Sequence, residues 1–110
     1  MKFYNLRITE WAEEDLEMIG DYITYELKVP ETAIQMVEGL QKEVRKLSYL
    51  PERHELDEDS KLAGIGVRKQ YYRNYKIFYL IEEKTEAVIV LRILHMRVDS
   101  RAALYRTFNL

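Results

Sequence analysis

A chain of 110 residues that is 47% hydrophobic is long enough to bury one core and too short for two, so residues 1–110 are predicted to form a single domain. No apolar run reaches the roughly 18 residues of a membrane span, and no basic-then-apolar leader opens the chain, which predicts a protein without membrane attachment or a secretion signal. The absence of cysteine excludes disulfides and thiolate metal sites and indicates an intracellular location.

Charge is divided unevenly along the chain, although the net charge is only -2. Residues 1–59 carry 7 Lys/Arg and 15 Asp/Glu, a net charge of -8, whereas residues 60–110 carry 10 and 4, a net charge of +6. A basic surface of this size suits a phosphate backbone or an acidic protein partner. The same counts would arise if the helices simply carry solvated Glu and the strands carry solvated Lys, with no binding role. Both interpretations of the uneven charge, a binding surface and a solvated one, stay open.

The first half of the chain predicts a strand and two helices. Residues 2–8 alternate as a strand does, and Thr9 suits the N-cap of a helix whose apolar residues recur at intervals of four, three and four: Ala12, Leu16, Ile19 and Ile23. Pro30 suits the first position of a second helix. We expect that helix to extend to about Leu50 and to bury the stripe Ala33, Val37, Leu40, Val44 and Leu47. The short connection predicts an antiparallel helical hairpin.

Residues 52–66 lose this periodicity and are predicted to form a polar loop. Four of its acids lie close together: Glu55, Asp57, Glu58 and Asp59. Their spacing lacks the glycine and the terminal glutamate of a calcium loop, so a solvated charge run is favoured over a cation site. His54 is predicted to lie at the surface. Gly64 and Gly66 are predicted to let the chain turn into the sheet.

The second half predicts three strands at residues 67–72, 75–82 and 87–94, with a tight turn at Arg73 and Asn74. The last strand is apolar on both faces, as expected of a central strand with helices on one side. Because sequential strands usually pair, we predict an α+β fold in the order β-α-α-β-β-β, with an antiparallel meander whose edge is joined by the first strand. Residues 100–108 are predicted to form a short helix, or a tail that orders only on a partner.

Several segments taken together resemble one protein family. They are YNLRITEWAEEDLEMIGDYI at the start, PETA and LSYLP at the ends of the second helix, GIGVRK before the sheet, and NYKIFYLI and VLRILHMRVD within it. Over residues 3–104 this series is similar to the RelE/ParE superfamily of bacterial toxins. The resemblance implies a small cytoplasmic toxin that stops growth and is held inactive by a cognate antitoxin. RelE-like members cut messenger RNA on the ribosome, and ParE-like members inhibit DNA gyrase without hydrolysis.

Metal-free RNA cleavage needs two proton transfers and cations that stabilise a phosphorane. The resemblance to the ribonuclease branch implies the following catalytic residues: Lys69, Lys76, His95, Arg97 and Tyr105. Where that branch has a second lysine, this chain has Val67. The tyrosine that follows Arg97 in that branch comes about two residues later here, as Tyr105. The proton carrier is therefore either Tyr105 or His95. Further candidate contacts to nucleic acid are Arg68, Arg73 and Arg92.

The ParE-like alternative has its own support. The two helices are closely joined, and HMRVD resembles the His, Arg and Asp run of that branch, where its role is mainly structural. Because all the roles needed for RNA cleavage have a candidate residue, the sequence slightly favours the ribonuclease. The gyrase inhibitor is the first alternative, and an inactive family member that only binds a partner is the second.

The expected partners follow from these alternatives. They are the antitoxin, together with either the ribosome and mRNA or DNA gyrase. The antitoxin is expected to lay an amphipathic helix beside the helical hairpin or to add a strand to a sheet edge. No cofactor or metal is predicted, since no group of His and carboxylates has metal-ligand spacing.

Overall fold

One four-stranded sheet in the order β1-β4-β3-β2 organises the molecule. The structure is a computed structural model that describes residues 2–110, so Met1 of the predicted domain lies outside the described residues. Its strands are β1 (Asn5–Ile8), β2 (Arg68–Tyr72), β3 (Tyr75–Glu82) and β4 (Ala87–His95), and its helices are α1 (Glu10–Asp21), α2 (Pro30–Lys46), α3 (Ser60–Ile65) and α4 (Ser100–Thr107). The last three strands form an antiparallel meander and β1 joins β4 in parallel, which confirms the predicted α+β fold. No helix within residues 2–110 is long and apolar enough to cross a membrane.

β4 is one of the two inner strands of the sheet, and helices cover both of its faces. On the hairpin face, by which we mean the side of the sheet that contacts α1 and α2, the core is built from Leu16, Ile19, Leu40, Val44, Ile77, Tyr79, Val90 and their neighbours. On the α4 face, the opposite side, the core is built from Leu62, Val67, Phe78, Leu91, Leu94, Ala103 and Leu104. The prediction placed helices on one side only. The continuous apolar run of β4 is explained by burial on both sides.

The helical hairpin begins as predicted and ends early. The Thr9 hydroxyl accepts the Ala12 N–H at 3.1 Å and so caps α1. A π-helical turn (Tyr22–Glu26) directly follows α1, and α2 then starts at Pro30. α2 stops at Lys46 instead of about Leu50, because the Tyr4 N–H bonds to the Ser48 carbonyl at 2.7 Å. The same contact explains why β1 starts at Asn5 instead of residue 2.

The predicted loop at residues 52–66 contains a short helix, so that prediction was wrong in part. The Asp59 carboxylate accepts the Leu62 N–H at 3.2 Å and caps α3, and Gly66 ends it with a left-handed φ of 102°. Leu62 is fully buried. A helix of six residues with one buried side chain has too few turns to show an apolar period. His54, predicted at the surface, is half-buried, with its ring edge-on to Tyr79.

The C-terminal segment is a helix and not a tail, which decides between the two predicted states. Asp99 caps α4 by accepting the Ala102 N–H at 3.1 Å. Leu104 is fully buried and packs with the core of the α4 face. The position of α4 is therefore fixed by burial of its apolar side against the sheet.

Candidate functional site

The strand register decides which predicted site residues lie together. Lys76 lies directly opposite Tyr71 on β2 and Leu94 on β4, and Leu94 belongs to the core of the α4 face. Tyr75 lies opposite His95, and Tyr75 belongs to the core of the hairpin face. Because neighbouring strand residues point to opposite faces, Lys76 lies on the α4 face and His95 on the hairpin face.

Lys69 lies on the α4 face, where it is almost fully buried. It is two residues before Tyr71 on β2 and is only 6% exposed. Its ammonium forms an ion pair with the carboxylate of Glu58, whose side chain is 76% exposed. Burial lowers the pKa of Lys69, but the hydrogen bond and the charge of Glu58 outweigh it, so this pKa is raised. Lys69 is therefore a fixed cation covered by an acid.

Tyr71 is a neighbour of these lysines that the sequence analysis did not select. Its side chain is 49% exposed, and the Lys76 ammonium lies 5.8 Å from the ring centroid. An aromatic ring beside cations is the combination that binds single-stranded nucleic acid, through stacking and phosphate contacts. The alternation of β2 contains the signal that would have found it, since Tyr71 shares a face with Lys69.

Tyr105, the predicted proton carrier, is held by α3. Its hydroxyl donates to the Asp59 carboxylate at 2.9 Å, and Asp59 also caps α3. The Arg101 guanidinium lies 5.4 Å from the ring centroid of Tyr105 and 3.3 Å from the same carboxylate. Tyr105 therefore joins α4 to α3, and its hydroxyl is engaged in the fold.

His95 and Arg97 lie at the end of β4 next to a groove. The Nδ1 atom of His95 accepts the Arg97 N–H at 3.1 Å. The ring stands edge-on to Tyr75, with centroids 5.2 Å apart. The groove beside them has a volume of about 430 Å³; we call it the hairpin groove, and it is lined by Met18, Ile19, Tyr22, Tyr75, His95, Arg97 and Val98 among others.

Two of the three arginines predicted to contact nucleic acid are engaged inside the fold. Arg92 is paired with the buried carboxylate of Asp15 at 2.8 Å. Arg68 donates to the main-chain carbonyl of His54 at 2.6 Å. Arg73 is exposed at the β2-β3 turn, 5.6 Å from the ring of Tyr72. The geometry therefore leaves Arg73 accessible and gives Arg68 and Arg92 structural contacts.

The five predicted catalytic residues thus form two groups. Lys69, Lys76 and Tyr105 belong to the α4 face, whereas His95 and Arg97 belong to the hairpin groove. No group of three or more His, Asp or Glu side chains in the described part of the chain is placed to hold a metal ion. The arrangement gives one surface of cations and aromatics and a separate apolar groove.

Comparison with known proteins identifies the family. The sequence model of the family described as the ParE toxin of the type II toxin-antitoxin system parDE matches residues 6–99. No relative among curated protein sequences matches the chain. The match covers most of the chain and confirms the resemblance seen in the sequence.

Solved structures of RelE and ParE toxins share the fold. A chromosomal ParDE system from P. aeruginosa has a TM-score of 0.70 at 22% identity, over 84% of this chain and 96% of that chain. The RelBE2 toxin-antitoxin complex from Mycobacterium tuberculosis has a TM-score of 0.63 at 22% identity, over 86% and 93%. A mutant of the E. coli toxin RelE in the free state has a TM-score of 0.62 at 18% identity, over 98% and 99%. Together with the match over residues 6–99, these observations lead to one conclusion: the chain belongs to the ParE toxin family of type II toxin-antitoxin systems, within the RelE/ParE superfamily.

Proposed function

We propose that this protein is the growth-arresting toxin of a toxin-antitoxin pair and that it inhibits DNA gyrase by binding, without cutting RNA. The supporting observation is that Lys76 and His95 lie on opposite faces of the sheet. Cleavage by attack of the 2′-hydroxyl needs a proton carrier and phosphorane-stabilising cations around a single phosphate. The division between two faces separates His95 from the lysines, and the hydroxyl of Tyr105, the other candidate proton carrier, already donates to Asp59. Together with the family match, this favours the ParE-like mechanism.

The test uses purified gyrase and, in parallel, translating ribosomes. We expect the toxin to inhibit DNA supercoiling in proportion to its amount and to leave ribosome-bound mRNA intact. The double variant Lys69→Ala/Lys76→Ala should keep this inhibition. In cells, induction should give growth arrest with a DNA damage response. No arrest at all would indicate an inactive binding module and would overturn the proposal.

A second candidate is ribosome-dependent mRNA cleavage, and one observation favours it. Lys69, Tyr71 and Lys76 lie side by side on the α4 face, with cations and an aromatic ring suited to RNA. Tyr105 is on the same side of the sheet. For this function, induction would cause rapid loss of mRNA, and Lys69→Ala would abolish that loss. Arrest that Lys69→Ala does not relieve would exclude it.

We further propose that the partner that holds the toxin inactive is a cognate antitoxin, and that an amphipathic helix of it enters the hairpin groove. The groove offers exposed apolar side chains at Met18, Tyr22 and Val98, which suit the apolar side of a helix. Arg97 lines the same groove and would attract an acidic segment. Addition of a strand to the open edge of β1 is the alternative mode.

Co-expression with the neighbouring open reading frame tests this docking. The antitoxin should co-purify with the wild type and should bind the Met18→Asp variant more weakly. Leu50→Asp, which also alters an exposed apolar residue but lies outside the groove, serves as the control. Equal loss of binding in both variants would contradict docking in the groove.

A further inference from the structure

One side of α1 exposes large apolar side chains to solvent. Trp11, Met18 and Tyr22 follow one another at intervals of seven and four residues, which places them on one flank of the helix, and we call them the apolar flank. Their exposed fractions are 46%, 67% and 53%. Met18 and Tyr22 also line the hairpin groove, so the apolar flank continues this groove outwards. Contiguous apolar surface of this kind marks a contact with another molecule.

A row of acids runs beside the apolar flank, on the side of α1 that is turned away from the core. The intervals between its members are four, three and four, and we call it the acidic row: Glu10, Glu14, Glu17 and Asp21. All four side chains are exposed. None of them forms an ion pair within residues 2–110, where the acids that do so lie elsewhere. The acidic row is therefore negative charge that the fold itself leaves uncompensated.

Helix stability accounts for the start of the acidic row but not for the rest. Negative charge stabilises the first turn of a helix, which suits Glu10. Asp21 is the last residue of α1, where the helix dipole favours positive charge, and the last turn carries no basic residue. Glu10 with Glu14, and Glu17 with Asp21, are like-charged pairs four residues apart, which destabilise a helix. Local rules broken in this way are typical of a functional surface.

We propose that this side of α1 is the surface that contacts gyrase, and that it docks on a surface of the enzyme rich in Lys and Arg. An enzyme that acts on DNA carries such surfaces, because it must neutralise phosphate charge. The acidic row supplies the complementary charge, and the apolar flank supplies contact area that loses its water on binding. The inference rests on the proposed inhibition of gyrase and deepens it by naming the contact surface of the toxin and the chemistry of its counterpart.

The position of this surface gives the antitoxin a direct way to block it. An antitoxin helix in the hairpin groove would cover Met18 and Tyr22, which belong to the groove and to the apolar flank. Arg97 supplies the positive charge of the groove, whereas the acidic row lies on the outer side of α1. The two partners are therefore recognised through opposite charges but share apolar residues, so that one excludes the other.

Binding of the toxin to purified gyrase, measured together with inhibition of supercoiling, tests the acidic row. Glu14→Gln/Glu17→Gln should weaken binding by at least about fivefold at low ionic strength. The loss should shrink as added salt screens the contact. Glu52→Gln/Glu55→Gln removes the same charge from exposed positions after α2, so its general electrostatic effect should stay below about twofold.

The apolar flank is tested in the same assay. Tyr22→Ala should weaken the binding of gyrase, because it removes an exposed ring next to the acidic row. Phe3→Ala removes a similarly exposed ring that lies outside α1, and it should leave binding unchanged. An equal effect of these two variants would contradict docking on the apolar flank.

Two further measurements separate docking from a general disturbance of α1. Glu14→Gln/Glu17→Gln removes like-charged neighbours, so this variant should be at least as stable as the wild type in urea unfolding. It should also co-purify with the antitoxin as the wild type does, since neither residue lines the hairpin groove. Lower stability, or loss of the antitoxin, would show that these acids serve the fold and would overturn the proposal.

The supercoiling assay distinguishes this inference from the function on which it rests. Wild-type toxin that leaves supercoiling unaffected would overturn the proposed function and this inference with it. Inhibition that Glu14→Gln/Glu17→Gln and Glu52→Gln/Glu55→Gln retain equally would overturn the inference alone, because gyrase would then be bound through another surface.

Discussion

The carboxylate of Asp15 in α1 lies 2.8 Å from Nε and 2.9 Å from Nη2 of Arg92 in β4. Its Oδ2 atom also accepts the main-chain N–H of Ile93 at 2.9 Å. The last pair between β1 and β4 is Ile8 with Val90, so β1 offers no partner to Ile93. Asp15 therefore accepts the N–H that a longer β1 would have paired, and it fixes α1 against β4.

Replacing Asp15 should strongly destabilise the fold. Asp15→Ala leaves the partly buried Arg92 without its counterion and the buried N–H of Ile93 without an acceptor, so we expect a loss of about 3 kcal/mol in the free energy of unfolding. Urea unfolding followed by circular dichroism measures it. Glu14→Gln, at an exposed position of the same helix, should change stability by less than about 0.5 kcal/mol. A similar small change for both variants would refute the structural role of the pair.

Two helical glycines should respond to alanine in opposite ways. A Cβ at Gly39 in α2 would lie 2.0 Å from the hydroxyl of Tyr72, whereas a Cβ at Gly20 in α1 would meet only Val37, at 3.4 Å. Gly20→Ala should therefore gain up to about 1 kcal/mol from helix propensity. Gly39→Ala should lose about 1–3 kcal/mol through overpacking.

Thermal and urea unfolding of both glycine variants test this contrast. In the background of Tyr72→Ala, the penalty of Gly39→Ala should disappear, because the obstructing ring is gone. A penalty that remains in that background would mean that Tyr72 is not its cause.

Tyr79 should give the protein an alkaline-sensitive contribution to stability. Its hydroxyl is buried and donates to the Pro51 carbonyl, and burial raises the pKa of Tyr79 to about 12. Unfolded tyrosine ionises near pH 10, so the contribution is complete below about pH 10 and is lost as the pH rises towards 12. Tyr79→Phe should lower the free energy of unfolding by about 1–2 kcal/mol at neutral pH.

Urea unfolding between neutral pH and about pH 11 should show the difference between wild type and Tyr79→Phe shrinking above about pH 10. Tyr25→Phe, at an exposed side chain, should match the wild type throughout. A difference that is constant across this range would contradict the assigned cause.

His95 should respond to substitution as an acceptor at Nδ1. His95→Asn keeps an acceptor near this position for the Arg97 N–H, while His95→Ala removes it and the contact with Tyr75. We expect the Asn variant to be more stable than the Ala variant by about 1 kcal/mol. Equal stability of the two variants, measured by urea unfolding, would exclude this role of the Nδ1 atom.

The predictable parts of the fold were those with a regular pattern. The stripes of α1 and α2, the cap at Thr9 and the strands of the meander were found from the sequence, to within one residue for β2, β3 and β4. α3 was missed because its single buried residue, Leu62, has no periodic partner. The ends of α2 and β1 were misjudged because each is set by pairing between Tyr4 and Ser48, which are distant in sequence.

The candidate site, like the fold, could be predicted from the sequence only in part. The sequence shows which residue types are present, and the alternation of side chains along β2 predicts that Tyr71 and Lys69 point to the same face of the sheet. The covering of Lys69 by Glu58, the pairing of Arg92 with Asp15 and the engagement of Tyr105 by Asp59 needed the tertiary structure. Each joins segments from different elements, and no local pattern specifies which charged side chains meet.

The sequence by itself determined the family and the order of the strands and of the two long helices, because local propensity and apolar period depend on neighbours along the chain. The tertiary structure alone decided that Lys76 and His95 face opposite sides of the sheet in the folded register, and that helices cover both faces of β4. Register and packing are set by contacts between distant segments, which are made only when the whole core closes.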